Sequence, residues 1–172
     1  MMSVNPRRAL KSFDTARLSV THWADCLADP MAQARLVDDL AGLLSPAVLA
    51  PLPASYAFDP EAAADWIAAR QDESDVYLVR RGAEGVLVGL MILAEIAPRE
   101  LYLGYLLGEP HWRQGYGGEL VKGVVAEFGR LAPLTVVAQV EPANIASVRV
   151  LLGAGFEGVA SADEMRRFRL KL

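Results

Sequence analysis

Seven consecutive residues, Trp112, Arg113, Gln114, Gly115, Tyr116, Gly117 and Gly118, separate a strand-like apolar run, Leu101 to Leu107, from a run with helical spacing, Glu119 to Leu131. The glycines at 115, 117 and 118 remove the β-carbons that would keep a diphosphate away from the main chain. The first N–H groups of the helix that follows have no internal partner and carry the positive end of its dipole. The chemistry such a turn supports is the binding of an anionic cofactor. Two other cradles are excluded by spacing: no Gly-Lys-Ser/Thr follows, as a P-loop requires, and Leu120 stands where a dinucleotide fingerprint needs glycine. A plain strand-to-helix connection is the competing account of these glycines.

A second segment, Asn144-Ile145-Ala146-Ser147, leads through Val150, Leu151 and Leu152 to Gly155-Phe156. It predicts a short helix capped in the Asn144 region and stopped at Gly155, with a strand starting at Phe156. The two segments together resemble the GNAT N-acetyltransferases. The first is similar to that family's acetyl-coenzyme A loop, Gln/Arg-x-x-Gly-x-Gly/Ala, with Trp112 replacing the leading residue. The second is similar to its Asn-x-x-Ser/Ala-x-x-Leu/Val then Gly-Phe signature. Gly104-Tyr105-Leu106-Leu107 looks like the family's fourth strand, and Thr15-Ala16-Arg17-Leu18 is a weaker match to its first. The ribosomal-protein-alanine acetyltransferase-like branch (RimJ/RimL-type) is the one the chain resembles.

The resemblance implies a mixed α/β fold, with a mostly antiparallel central sheet of about six to seven strands flanked by about four helices and a splayed central strand pair. It also implies transfer of an acetyl group from acetyl-coenzyme A to a primary amine, on a small molecule or a peptide N-terminus, by direct attack in a ternary complex. That reaction needs a positioned neutral amine, a polarised carbonyl and a proton for the departing thiolate. By the same resemblance, the main chain of Tyr105, Leu106 and Leu107 holds the pantetheine arm and polarises the thioester. Amides from Gln114 through Gly118 bind the diphosphate, Arg113 adds a charge-assisted contact and Trp112 meets the cofactor at the entrance. Arg113 read differently is a solvated surface arginine. Asn144 contacts the pantetheine arm, with helix capping as the other account.

Proton handling is less legible. Many family members carry a tyrosine acid seven positions after the motif asparagine, where this chain has Leu151. Ser147 is the remaining proton donor implied by the family, against a serine that merely packs or caps a turn. Glu95 and Glu100 flank a strand turn near the expected acceptor entrance and are the candidate bases, each acting through a water, against solvated loop carboxylates. A coenzyme-A-binding regulatory module that lost transfer chemistry is the alternative function.

These residues need a scaffold, and the 172-residue chain reads as a single domain able to bury a substantial core. The expected strands are Arg17 to Thr21, Val76 to Arg80, Val86 to Ala94, Glu100 to Leu107, Leu134 to Val140 and Met165 to Leu170. Cys26 to Leu44 reads as helical, divided at Pro30, and a further helix starts at Pro60-Glu61. Between them Ser45 to Pro60, with four prolines, reads as an ordered loop over the core. Residues 1–12 are expected to be loosely attached. His22 and His111 have no partner at metal-ligand spacing, so no metal is expected. The net charge of −4 argues against nucleic-acid binding, and no apolar run is long enough for a membrane span. Single Cys26 is compatible with a cytoplasmic setting, and a homodimer is the base-rate oligomer.

Overall fold

Continuous apolar runs, Val76 to Val79 and Leu87 to Leu93, buried on both faces, build the centre of one eight-stranded sheet in the computed structural model, which describes residues 10–82 and 85–172. In chain order the elements are β1 (Phe13–Asp14), β2 (Leu18–His22), α1 (Ala24–Ala28), α2 (Pro30–Leu43), α3 (Pro46–Leu49), α4 (Ala63–Glu73), β3 (Asp75–Arg81), β4 (Leu87–Ala97) and β5 (Glu100–Leu107). They continue with α5 (Tyr116–Gly129), β6 (Thr135–Val140), α6 (Ile145–Gly153), β7 (Glu157–Val159) and β8 (Arg166–Lys171). The strand order is β1-β2-β3-β4-β5-β6-β8-β7, and every neighbouring pair is antiparallel except β5 and β6.

That one parallel pair follows from α5, which carries the chain back across the sheet as parallel pairing demands. Its register runs Glu100↔Thr135, Leu101↔Val136, Tyr102↔Val137 and stops there. Beyond Tyr102 the two strands part, which is the splay the family resemblance implies.

Helices cover both faces. Leu120, Val121, Val124 and Phe128 of α5 recur at helical spacing, are completely buried, and pack with Leu151 of α6 against Val79, Val88 and Met91 of the sheet. Burial of each such side chain contributes about 1.5–3 kcal/mol. Trp23, Leu36, Leu40 and Trp66 make the core of the other face, with the Trp23 and Trp66 rings meeting edge to face at 6.5 Å.

The structure revises several expectations. The mixed, mostly antiparallel sheet is as expected, but it has eight strands where about six to seven were expected, and there are six α-helices rather than about four among the described residues; β1 and α3, two and four residues long, are too short to leave a periodic signature. Helix α5 starts at Tyr116, three residues before the expected Glu119, so Gly117 and Gly118 lie in its first turn. Pro30 does divide the first helical stretch, because Asp29 caps α2 by accepting the Met31 N–H at 3.0 Å. The helix expected from Pro60 begins as a 3-10 turn, Pro60–Ala62, before α4. Of the loosely attached start, residues 1–9 lie outside the described residues; Leu10 is buried and its carbonyl accepts the Tyr77 hydroxyl at 2.8 Å.

Candidate active site

Because β5 ends where the gap opens and α5 begins just beyond, the N-terminus of α5 sits over the carboxyl end of a parallel strand, where α/β units bind ligands. A cleft of about 600 Å³ occupies this place. The end of β5, the glycine turn and the start of α6 all line it: Tyr105, Leu106 and Leu107; Trp112, Arg113, Gly115, Tyr116, Gly117 and Gly118; Asn144 and Ser147. Gln114 is the one cofactor-side expectation outside the lining; its Nε2 donates to the Pro110 carbonyl at 2.8 Å and braces the turn from behind.

The turn's shape has local causes. After a 3-10 turn at Glu109–His111, Arg113 adopts φ 61° and Gly115 φ 80°. Left-handed backbone is costly for arginine and free for glycine, so Gly115 is fixed by conformation while Arg113 carries strain at the cradle. Gly117 and Gly118 need a different explanation, because a helix accepts alanine better than glycine by up to about 1 kcal/mol. A β-carbon on Gly118 would meet nothing within 4 Å, and one on Gly117 would make only ordinary contacts of 3.6 Å or more with Leu107, Val150 and Tyr105. The protein itself therefore leaves room for side chains there, and an anion held against the amides is what would fill it.

Along β5 the Gly108 N–H donates to the Val88 carbonyl at 2.9 Å, so alternation turns the main chain of Tyr105 and Leu107 away from β4 and toward the gap. The Leu107 carbonyl is taken by the indole N–H of Trp112 at 2.8 Å, which pins a ring that is 42% exposed at the cleft mouth. The Tyr105 side chain faces α5 and α6, and its hydroxyl is buried without a hydrogen-bond partner among the described residues. Burial pushes its ionisation up, and the neighbouring Ser147 side chain tempers that. An orphaned buried hydroxyl costs about 1–3 kcal/mol, which a polar ligand in the cleft could recover.

Across the cleft, α6 is ordered by its own motif. Asn144 caps it, accepting the Ser147 N–H at 3.1 Å. At the far end Gly155, at φ 95°, closes a Schellman turn in which Phe156 N–H reaches the Leu151 carbonyl and Gly155 N–H the Leu152 carbonyl, each at 3.1 Å. Leu151, in the place of the family's tyrosine, is fully buried in the core.

The remaining wall comes from the proline-rich segment, where Ala47, Val48, Pro51 and Leu52 line the cleft. It is held from below. Trp66 Nε1 donates to the Tyr56 carbonyl at 3.2 Å, and Arg70, 2% exposed, donates to the Ser55 carbonyl at 3.2 Å and stacks on the Tyr56 ring at 4.3 Å. Ser45 adds a tie to Glu109 at 3.3 Å, joining this wall to the turn before the cradle.

Glu95 and Glu100 are not brought to this cleft. They lie where β4 and β5 begin their pairing, with Glu95 opposite Leu101, and Leu107 is six residue steps along the strand from Leu101, about 20 Å. Glu100 instead lies 3.8 Å from Arg167, and Glu95 is exposed. The sequence reading missed Glu141, the one carboxylate among the lining residues, and His111, whose ionisation burial and the charge of Arg81 hold down. Neither has a spacing pattern; nearness of Glu141 to Asn144 was the available signal. His22 is engaged by Asp75 at 2.8 Å and by the Ala24 N–H.

A family model described as an acetyltransferase (GNAT) domain matches residues 29–157. No curated protein sequence matches significantly. Among solved structures, the chain is similar to a GNAT-family acetyltransferase from Bacillus anthracis, at 14% identity over 93% of this chain and 98% of the other, with a TM-score of 0.74. It is similar to RimL, a ribosomal alpha-N-protein acetyltransferase solved with coenzyme A, at 17% identity over 94% and 98%, TM-score 0.68. The ribosomal-protein-S5-alanine acetyltransferase from Vibrio fischeri is a third, at 15% identity over 93% and 96%, TM-score 0.66.

Proposed function

The chain belongs to the GNAT family of acetyltransferases, which transfer an acetyl group from acetyl-coenzyme A, and from that premise we propose that it acetylates a primary amine, with a peptide N-terminus as the leading acceptor class. The observation that carries this reading is the convergence of the β5 end, the glycine turn and the α6 start on one cleft at the splay. The peptide acceptor is supported by solved relatives that act on ribosomal proteins, which also favours a cytoplasmic setting. A small-molecule amine is the other acceptor class.

In this reading, acetyl-coenzyme A supplies an activated acyl carbon and a thiolate leaving group. Amides from Gly115 to Gly118 hold the diphosphate, with Arg113 beside them. The main chain of Tyr105 and the N–H of Leu107, whose carbonyl is already held by Trp112, hold the pantetheine arm and polarise the thioester carbonyl. Asn144 has its amide nitrogen free for the same arm, since only its oxygen is used in capping. The Ser147 hydroxyl, at the cleft beside the Tyr105 side chain, gives its proton to the departing sulfur and regains one from solvent. Glu141 takes the proton lost by the amine, through a water. Glu95 and Glu100, on the strands beyond, are left to attract a cationic acceptor.

Thiol release, measured with acetyl-coenzyme A and a panel of peptides with different N-terminal residues, polyamines and aminoglycosides, tests the proposal. Turnover with peptides above the other amines is expected, and it should vanish in Gly117→Glu. Turnover with polyamines or aminoglycosides alone would replace the peptide acceptor. Coenzyme A binding with no turnover on any amine would favour a regulatory module.

A further inference from the structure

One side chain from the N-terminal end of the sheet grips the glycine turn. Arg17, in the turn between β1 and β2, donates from Nη1 to the Gln114 carbonyl at 2.9 Å, and its guanidinium carbon lies 4.4 Å from the centre of the Tyr116 ring. A β-carbon on Gly115 would sit 3.3 Å from its Nη2. The same residue binds Glu119 twice, from its main-chain N–H to Oε1 and from Nε to Oε2, both at 2.7 Å. Thr15 completes the set, its hydroxyl donating to Oε1 at 2.6 Å.

An exposed ion pair contributes little stability as a rule, and Arg17 is 47% exposed. The arrangement is better explained by what it does to Glu119. This carboxylate stands one turn into α5, whose free amides and dipole attract any nearby anion. Left loose, it would compete with an incoming diphosphate for those amides and repel it. Burial alone would raise its ionisation, but Thr15 and Arg17 together hold the carboxyl below its usual range, so it stays charged and engaged. Both of its oxygens are turned toward the β1–β2 side, away from the cleft.

We propose that Arg17 is a positioning residue for cofactor binding: it holds Glu119 off the α5 amides and fixes the Gln114–Tyr116 turn, so the cradle is assembled before the diphosphate arrives. The inference rests on the coenzyme A reading of the cleft. It makes the N-terminal hairpin, which does not line the cleft, a determinant of cofactor affinity.

The test is calorimetric titration of coenzyme A into the full chain as wild type, Arg17→Met, Arg17→Lys and the double variant Arg17→Met/Glu119→Gln, with steady-state kinetics in acetyl-coenzyme A alongside. Arg17→Met should bind about tenfold to a hundredfold more weakly, raising KM while kcat at saturation stays within about twofold. Neutralising Glu119 in the double variant should recover most of the loss, which a purely structural role would not produce. Arg17→Lys, which keeps the charge and loses the fork, should fall between and covers the case in which Arg17→Met does not fold. Arg17→Met binding as wild type, or a loss that persists undiminished in the double variant, would overturn the proposal while leaving the acetyltransferase reading intact. Failure of the wild type to bind coenzyme A would overturn both.

Discussion

Asn144 holds Ser147 by its main chain: the Asn144 Oδ1 accepts the Ser147 N–H at 3.1 Å, while both side chains line the cleft. One half of the second motif thus sets where the other half stands.

Capping and ligand contact can be separated at Asn144. Asn144→Ala should lose about 1 kcal/mol of stability together with coenzyme A affinity. Asn144→Asp keeps the cap and removes the amide donor, so it should melt close to wild type yet still bind more weakly. Melting curves paired with coenzyme A titrations read the two effects apart; an Asp variant with wild-type affinity would reduce Asn144 to a cap.

Ser147→Ala should lower kcat about a hundredfold, the usual scale for loss of a positioned proton donor. Acetyl-coenzyme A KM and the melting temperature should hardly move, because the cap uses only the main chain of residue 147. Rate measurements in Ser147→Thr, which restores a hydroxyl, should show partial recovery.

Gly118→Ala should make the ligand-free protein more stable and the enzyme worse. The site has room for a methyl group, and removing glycine from a helical position is worth about 0.4–1 kcal/mol. The same methyl stands where the diphosphate is proposed to lie, so coenzyme A affinity should drop at least about tenfold, a trade-off of the kind expected at functional sites. A thermal melt and a titration of the same sample suffice.

Alkaline pH should destabilise the protein through one buried and three half-buried tyrosines. Burial raises the ionisation of Tyr56, Tyr77, Tyr102 and Tyr105, with a small opposing effect of Arg70 at Tyr56 and of Ser147 at Tyr105. In the unfolded chain these phenols lose protons near pH 10, so above that value the unfolded state binds fewer protons than the folded one. Their contribution is intact below about pH 10 and is lost as pH rises past it. Melting temperatures across that range should fall steadily, and less steeply in Tyr77→Phe.

Much of the site was legible because two segments carry fixed spacings. The glycines after β5 were read as a turn leading into a helix, and Asn144 with Gly155 brackets a helix whose cap and Schellman stop both formed. What escaped were relations without a local pattern. Glu141 reaches the cleft only because β6 and α6 meet there, and Arg17 meets Glu119 across 102 positions of sequence. Glu95 and Glu100 drew attention by chemistry alone, since nothing in a strand's sequence tells which of its ends the ligand will occupy. The start of α5 was placed late because glycines argue against helix, whereas here the helix tolerates two of them in its first turn.

The gap between β5 and β6 has an evolutionary corollary. Its walls offer peptide groups, which every residue except proline supplies alike, so exchanging side chains along these strands does not abolish the contacts on offer. What must persist is the divergence of two strands and a turn without bulk. Selection can then leave such a gap intact while the surrounding residues drift, and the overall fold itself persists in solved structures at identities of 14–17% across nearly whole chains.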